Sequence, residues 1–312
     1  VLQLEFFTGV SDCKNSALLT IVKAHQFNTN YLLSGNLRFQ YLRYSEKLDD
    51  FQFDMIPRLE EQLAELYQIT LQEINSFEEI EQCIVDGKYP LVQTDIYYLP
   101  HREEYLAEIH AAHFVIGQSY NQDLDTFKIF DSVPPFDGEI DRALFEQAAL
   151  SFGACAYLLD RSRQITPDRA TITAFLRRQA ERLYHDFYLS SDVSMGYQGM
   201  LRLQQDMQQW IEVSVEERRQ LFFKFLINSL AVERYHHGFT QYIQAELKNE
   251  QLVEKCESAA TGWKRIHNII RKQKHTEKNL VPNLIRLFEE VVDAEKQLID
   301  DVYEFFLRGG IE

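Results

Sequence analysis

The chain has 312 residues, 45% hydrophobic and 26% charged. That is enough for about two domains with a full apolar core, with no need for a disulfide framework or a structural metal. With 22 Phe and 16 Tyr against 12 Gly and 7 Pro, collagen-like, disordered and linker-rich classes are excluded. Acidic residues outnumber basic ones by 48 to 32, for a formal charge of −16. Such a surface repels phosphate backbones and anionic lipid, so neither nucleic acid nor membrane is expected as the main partner.

The four cysteines, Cys13, Cys83, Cys155 and Cys256, form no CxxC pair. This speaks against a zinc ribbon or a dithiol redox motif, and no metal or cofactor is expected. Free thiols in a reducing, cytoplasmic compartment are the expectation. The opening VLQLEFFTGVSDC has too short an apolar run for a secretory signal, and its lack of Met suggests trimming. No stretch reaches the ~20 apolar residues of a membrane-spanning helix.

In chain order, Ser11 or Asp12 caps a predicted helix that starts at Cys13 and runs through KNSALLTIVKAH. Further helices are predicted near Ser34–Tyr44, Pro57–Tyr67 and Ser76–Asp86. LVQTDIYYL (Leu91–Leu99) and HFVIGQSY (His113–Tyr120) read as strands. Asn121–Asp123 is a turn signal before a further strand, FKIFDSV (Phe127–Val133), so the last two strands read as a hairpin. PPFDGE (Pro134–Glu139) breaks the chain, Ile140–Phe152 reads as a helix, and Ala154–Leu159 as a last strand.

After Arg161 the pattern is helical. Thr166-Pro167 is predicted to open a helix with Pro at its first position. Ser190–Gly199 is a bend between helices, and Ser214-Val-Glu-Glu217 is a capping box before a long amphipathic run. Leu252–Lys274 and Val281–Leu307 carry apolar residues at three- and four-residue spacing. The expectation is an α+β chain: a catalytic domain over 1–162 with an antiparallel sheet, then an all-helical domain over 163–312 of four or five antiparallel helices.

The chemistry-bearing feature is an order: Cys13 at a helix start, His113 opening a strand, Asp131 closing the next one. A helix N-terminus lowers the pKa of a cysteine thiol. A nucleophile also needs a base, and the base needs an orienting group. Pairing of the two strands lets His113 and Asp131 meet diagonally, giving a Cys–His–Asp set. Taken singly, a cysteine in an apolar helix is ordinary packing, His113 a satisfied core histidine and Asp131 a turn former. Cys83, Cys155 and Cys256 fit packing. Asp12 beside Cys13 disfavours a thiolate unless it points away or caps the helix. His110 is a second candidate base, but on a strand it faces the side opposite to His113.

The segments DCKNSALLTIV, TDIYYLPHREEYLAEIHAAHF and HFVIGQSYNQDLDTFKIFDS resemble the butirosin biosynthesis protein H N-terminal family. That resemblance covers about the first 160 residues. It implies a papain-like fold related to C39-type peptidases, with Cys13 as nucleophile, His113 as base and Asp131 as orienter. It further implies acyl transfer from a carrier-protein thioester to an amine, as the founding member does with an aminoglycoside intermediate. Asp95, Tyr97, Tyr98 and Pro100 match the family's DIYYLP segment as cleft wall, although Asp95 reads first as a structural hydrogen-bond acceptor. Papain-like enzymes place an oxyanion-hole Gln shortly before the cysteine. FFTGVSD has none, which leaves the Cys13 N–H with Thr8 or Ser11 as candidates. Phe39–Tyr44 and Ile96–Leu99 read as core first and as dry cleft walls second.

One stretch runs against the overall charge. GWKRIHNIIRKQKHTEKN carries Lys264, Arg265, Arg271, Lys272, Lys274 and Lys278 against a single acid, Glu277. It reads first as a solvated helix face. Second, it reads as a docking face for an acidic acyl or peptidyl carrier protein. The leading expectation is thus a carrier-dependent acyltransferase of natural-product biosynthesis acting on a small amine. The alternatives are a C39-like hydrolase (peptidase, amidase or thioesterase) and a catalytically silent interaction protein.

Overall fold

The computed structural model describes residues 2–7, 9, 11–55, 57–102, 110–190, 192, 194–229, 232–273 and 275–308. In chain order the elements are α1 (Cys13–Ala24), β1 (Phe39–Arg43), β2 (Phe51–Met55), α2 (Leu59–Tyr67), β3 (Thr70–Ile74), α3 (Phe77–Val85), β4 (Leu91–Asp95), β5 (Ala112–Asn121), β6 (Thr126–Ser132), β7 (Pro135–Asp141), α4 (Arg142–Leu150) and β8 (Ala156–Asp160). The helical segments α5 (Arg169–Tyr188), α6 (Gly196–Gln209), α7 (Val215–Ser229), α8 (Val232–Tyr242), α9 (Glu250–Gln273) and α10 (Val281–Leu307) follow. Short 3-10 turns occupy Asn30–Gly35 and Ile96–Tyr98. The architecture is α+β, with an antiparallel sheet in the first half and a helical second half. Among the described residues, no helix is long and apolar enough to cross a membrane.

The chain divides into two compact units: Val1–Thr29 with Glu60–Pro167, and Asn30–Leu59 with Asp168–Glu312. A single cut near residue 160 therefore misplaces residues 30–59, which group with the helical half. In the first unit a six-stranded antiparallel sheet runs in the order β3-β8-β4-β5-β6-β7. Helix α1 packs against β4, β5 and β6, burying every residue from Ser16 to Val22. Phe77, Ile80 and Ile84 of α3 and Phe145, Ala148 and Ala149 of α4 form a core with Val92, Val115, Phe127 and Ile129 of the sheet. Ser76 caps α3 by accepting the Glu79 N–H at 3.2 Å.

Residues Ser34–Tyr44 are not a helix. Phe39 and Tyr41 alternate with less buried neighbours and pair antiparallel with Met55 and Phe53, and Arg43 pairs with Phe51. This period-2 aromatic face packs within the second unit: Phe51 stacks near Trp210 at 5.5 Å, and Phe53 meets Phe225 at 4.6 Å. Phe39–Arg43 is therefore core of the helical unit. Pro134–Glu139 is not simply a break, because Pro135 opens β7. That strand is the sheet edge, where a missing N–H donor costs a strand little. Helix α5 starts two residues later than Pro167 predicts, because the Asp168 carboxylate accepts the Thr171 N–H at 2.7 Å and caps it.

The Ser214 capping box forms in both directions: Glu217 N–H donates to Ser214 Oγ at 3.2 Å, and Ser214 N–H donates to Glu217 Oε2 at 3.0 Å. Six α-helices and a short π-helical segment (Ile243–Leu247) are described after residue 167, where the patterning predicts four or five helices. Of the apolar stripe predicted on α10, Leu284, Leu287, Phe288, Val291, Val292, Leu298, Val302 and Phe306 are buried, while Phe305 is only half-buried.

Candidate active site

Cys13 is the first residue of α1 and is half-buried. Asp12 precedes it as the N-cap, with extended backbone. Its Oδ1 accepts the Asn15 N–H at 2.7 Å and its Oδ2 accepts the Asn15 side-chain amide at 2.8 Å. The adjacent carboxylate is thus used as a cap, and no acidic side chain lies in the first turn itself. The Cys13 N–H is among the first-turn donors that have no acceptor within the helix. Further along α1, Thr20 and Ser132 share a hydrogen bond at 3.1 Å, which ties the helix to the residue following Asp131.

The β5–β6 register explains how the partners meet. Ile116 pairs with Phe130, so Asp131 lies one residue beyond that pair and His113 three residues before it. The two-residue stagger is a same-face diagonal, within reach of an imidazole and a carboxylate. Nε2 of His113 lies 2.7 Å from Oδ2 of Asp131, and both side chains are buried. Because an ionised carboxylate only accepts, Nε2 carries the proton. Cys13 is a further hydrogen-bond partner of the His113 ring, and Arg102 Nη1 lies 3.5 Å from Nε2. Burial pushes the His113 pKa down, but the hydrogen bonds and charges of Asp131 and Cys13 outweigh it and lift the pKa to about 9. Burial pushes the Asp131 carboxyl up, yet hydrogen bonds from His101 and His113 hold it below the ordinary carboxylate range.

A second histidine shares that carboxylate. His101 Nε2 lies 2.9 Å from the same Oδ2, while Asp131 Oδ1 accepts the Val133 N–H at 2.8 Å. Arg102 Nη1 is 3.8 Å from Oδ2 and donates to the Val133 carbonyl. Patterning misses His101 because it sits in a turn, where no periodicity marks it. The one available signal is that it directly follows the DIYYLP segment.

The remaining candidates fall elsewhere. Asp95 and His110 form their own pair, Nδ1 to Oδ2 at 2.7 Å, with the His110 ring stacked on Tyr97 at 4.2 Å. Asp95 also accepts the Tyr97 and Ala111 N–H groups, so its carboxylate holds the turn after β4. Its pKa is lowered: burial works upward, and the His110 hydrogen bond and the two N–H donors work downward. His110 is exposed, whereas His113 is buried. Tyr98 packs on the α3–α4 core. Ser11 is buried, and its hydroxyl has no hydrogen-bond partner among the described residues. Thr8 lies outside the described residues.

Lys264, Arg265, Arg271 and Lys272 are exposed on α9, opposite the buried Trp263, Ile266, His267 and Ile270. Arg265 pairs with Glu290 at 3.0 Å. Lys274 lies outside the described residues. Burial raises the thiol pKa of Cys83, and that of Cys256 to about 12, so both are protonated at neutral pH. Among the described residues no group of three or more metal-ligating side chains occurs.

No curated protein matches the chain. The segment that holds Cys13, His101, His113 and Asp131 does match a family model: over residues 12–132, less than half of the chain, it matches the family Butirosin biosynthesis protein H, N-terminal, as the motifs imply.

Proposed function

We propose that the protein is a cysteine acyltransferase of natural-product biosynthesis. In this reading it moves an acyl or peptidyl group from a carrier-protein thioester, through a Cys13 acyl-enzyme, to a small amine. The observation that carries the reading is the position of His113, whose Nε2 lies 2.7 Å from Oδ2 of Asp131 and whose pKa is raised by the hydrogen bonds and charges of Asp131 and Cys13. An imidazole lifted to about 9 is an imidazolium at neutral pH and favours a thiolate beside it.

The thiolate attacks the thioester carbonyl and forms a tetrahedral oxyanion. The carbon–sulfur bond to the carrier then breaks, and the departing thiolate takes the His113 proton. The amine attacks the Cys13 thioester, His113 removes the proton from the amine nitrogen, and the Cys13 thiolate leaves as the amide forms. The Cys13 N–H and the buried Ser11 hydroxyl are the proposed oxyanion donors. Lys264, Arg265, Arg271 and Lys272 are the proposed docking face for an acidic carrier protein.

Incubation with an acyl carrier thioester should add one acyl group to the Cys13 peptide, read by mass, and an amine should discharge it faster than water does. Effective molarities for a bound nucleophile reach ~10⁵ M or more, which is what lets an amine outcompete water. Cys13→Ala should abolish loading, with circular dichroism unchanged. Cleavage of a peptide without thioester loading would replace transfer by hydrolysis. Iodoacetamide labelling of Cys13 no faster than Cys155 would leave a silent interaction protein.

A further inference from the structure

Asp131 is held from two sides by two imidazoles that reach the same oxygen. The His101 side chain is 5% exposed, and its ring lies flat on Phe136, with centroids 4.1 Å apart and planes 9° from parallel. Phe136 stands directly across from Asp131 in the β6–β7 ladder. Its ring covers Gly138, where an added Cβ would lie 2.5 Å from the ring. Any larger residue at 138 would displace Phe136 and remove the surface on which His101 rests.

Among the described residues, His101 Nδ1 has no hydrogen-bond partner, and it is buried. Burying a polar atom unpaired is unfavourable, and a phenyl or leucyl side chain would fill the same space without that penalty. What distinguishes His101 from an apolar filler is its Nε2–H, which points at Asp131. Among the described residues, the charged and titratable groups around this carboxylate are His113, His101 and Arg102, with Cys13 beyond His113.

We infer that His101 is a positioning residue: seated on Phe136, it holds Oδ2 of Asp131 in the orientation that His113 uses. This rests on the assignment of Cys13, His113 and Asp131 as the reacting set. His113 exchanges protons and tilts between sulfur and substrate. A second donor on Oδ2 keeps the carboxylate from rotating about its Cβ–Cγ bond when the His113 contact loosens. With His101 gone, Oδ1 retains the Val133 N–H, and Oδ2 keeps the His113 contact and the longer ion pair to Arg102 Nη1 at 3.8 Å.

The test uses the full chain with ¹⁵N-labelled histidine, following the His113 titration by NMR and Cys13 alkylation by mass. His101→Phe keeps the ring and its stacking but removes the donor. His101→Gln places an amide donor near the position of Nε2. The Phe variant should lower the His113 midpoint by about one unit and slow Cys13 alkylation at pH 7 about tenfold, and Gln should restore at least half of each loss. If Phe behaves as wild type while Gln loses both, His101 is packing and the proposal is overturned; an unchanged midpoint in both variants overturns it too. Should His101→Phe fail to fold, Phe136→Leu removes the stacking surface and should shift the midpoint in the same direction; no shift overturns the proposal. Wild-type Cys13 labelling no faster than Cys155 would sink the nucleophile assignment, while the His113 midpoints would still decide the role of His101.

Discussion

Asp12 gives both carboxylate oxygens to Asn15, one to its backbone N–H and one to its side-chain amide. The charge next to Cys13 is therefore spent on starting the helix that carries the cysteine. Capping and charge are separable by substitution. Asp12→Ser retains a cap acceptor, so stability should change by less than about 0.5 kcal/mol. It removes a negative charge beside the sulfur, so the alkylation rate of Cys13 near pH 7 should rise about threefold, the size of effect that one screened neighbouring charge exerts. Urea melts and iodoacetamide kinetics read the two effects independently. A slower rate with unchanged stability would show that the carboxylate assists the sulfur.

Asp131→Asn tests the electrostatics of the set directly. The amide keeps the shape of the carboxylate and loses its charge, so the His113 midpoint should fall by about 1–3 units from its value near 9. A folded-state pKa raised above the ordinary ~6.5 means that the His113 pairing stabilises the fold fully below pH ~6.5. That contribution is lost as pH rises through about 9. Asp131, held low, acts in the opposite direction: its contribution is present above its unfolded value of ~3.9 and is lost as pH falls through its folded one. Acyl loading should decline on the alkaline side near pH 9 in the wild type and at lower pH in Asp131→Asn. A superimposable alkaline limb in the two proteins would remove His113 from the proton relay.

The helical unit contains its own buried ion pair, placed for stability. His236 Nε2 lies 2.7 Å from Glu295 Oε1, and Trp263 Nε1–H donates to the same oxygen at 2.9 Å. His236 Nδ1–H donates to the Val232 carbonyl at 2.8 Å. The Glu295 charge is the larger part of what this contact supplies, ahead of its hydrogen bond. Burial pushes the His236 pKa down, but the Glu295 charge outweighs it and the pKa is raised. Glu295→Ala leaves that imidazole uncompensated and the Trp263 N–H without its acceptor. At pH 6 it should cost about 3–5 kcal/mol in urea unfolding. The His236 contribution is present below ~6.5 and fades as pH rises through the raised value, so the gap between wild type and variant should narrow in alkali. A gap that is constant with pH would mean that packing alone accounts for the loss.

Charge reversal on α9 separates docking from chemistry. Replacing Lys264, Arg265, Arg271 and Lys272 by Glu should slow loading from a carrier-bound thioester by about tenfold or more at low ionic strength, with the difference shrinking in salt. Loading from a small free thioester should be unaffected, because these side chains project into solvent from α9. Equal loading of both donors before and after reversal would make this an ordinary solvated face.

Legibility in the sequence followed periodicity. The β5–β6 hairpin could be read because Val115, Ile116, Phe127, Ile129 and Phe130 supply β-branched and aromatic residues on either side of a turn. The α10 stripe could be read because its apolar spacing is regular over seven turns. Phe39–Arg43 was illegible as a strand because five residues of alternation are too few to separate period 2 from period 3.6, and its partner strand lies beyond a seven-residue connection. At the site, His113 and Asp131 each occupy a strand end, a position that pattern can locate. His101 has no element to place it. Its role depends on Phe136 and Gly138, two residues of a stretch that the Pro-Pro pair marks as a break.

Residues 30–59 leave the first unit and belong with helices that begin only at Asp168. During synthesis the β1–β2 hairpin therefore emerges long before the surfaces that cover it. The partners of Phe53 include Phe225 and Trp263. At ~5–20 residues per second, Trp263 follows Met55 by on the order of 10 s or more. For that interval the aromatic side chains of Phe39, Tyr41, Phe51 and Phe53 stay uncovered on the nascent chain, the kind of segment that pairs with other chains or with a chaperone. Truncation after residue 162 would make that state permanent. An isolated first unit would need 30–59 replaced by a short polar connector to remain soluble.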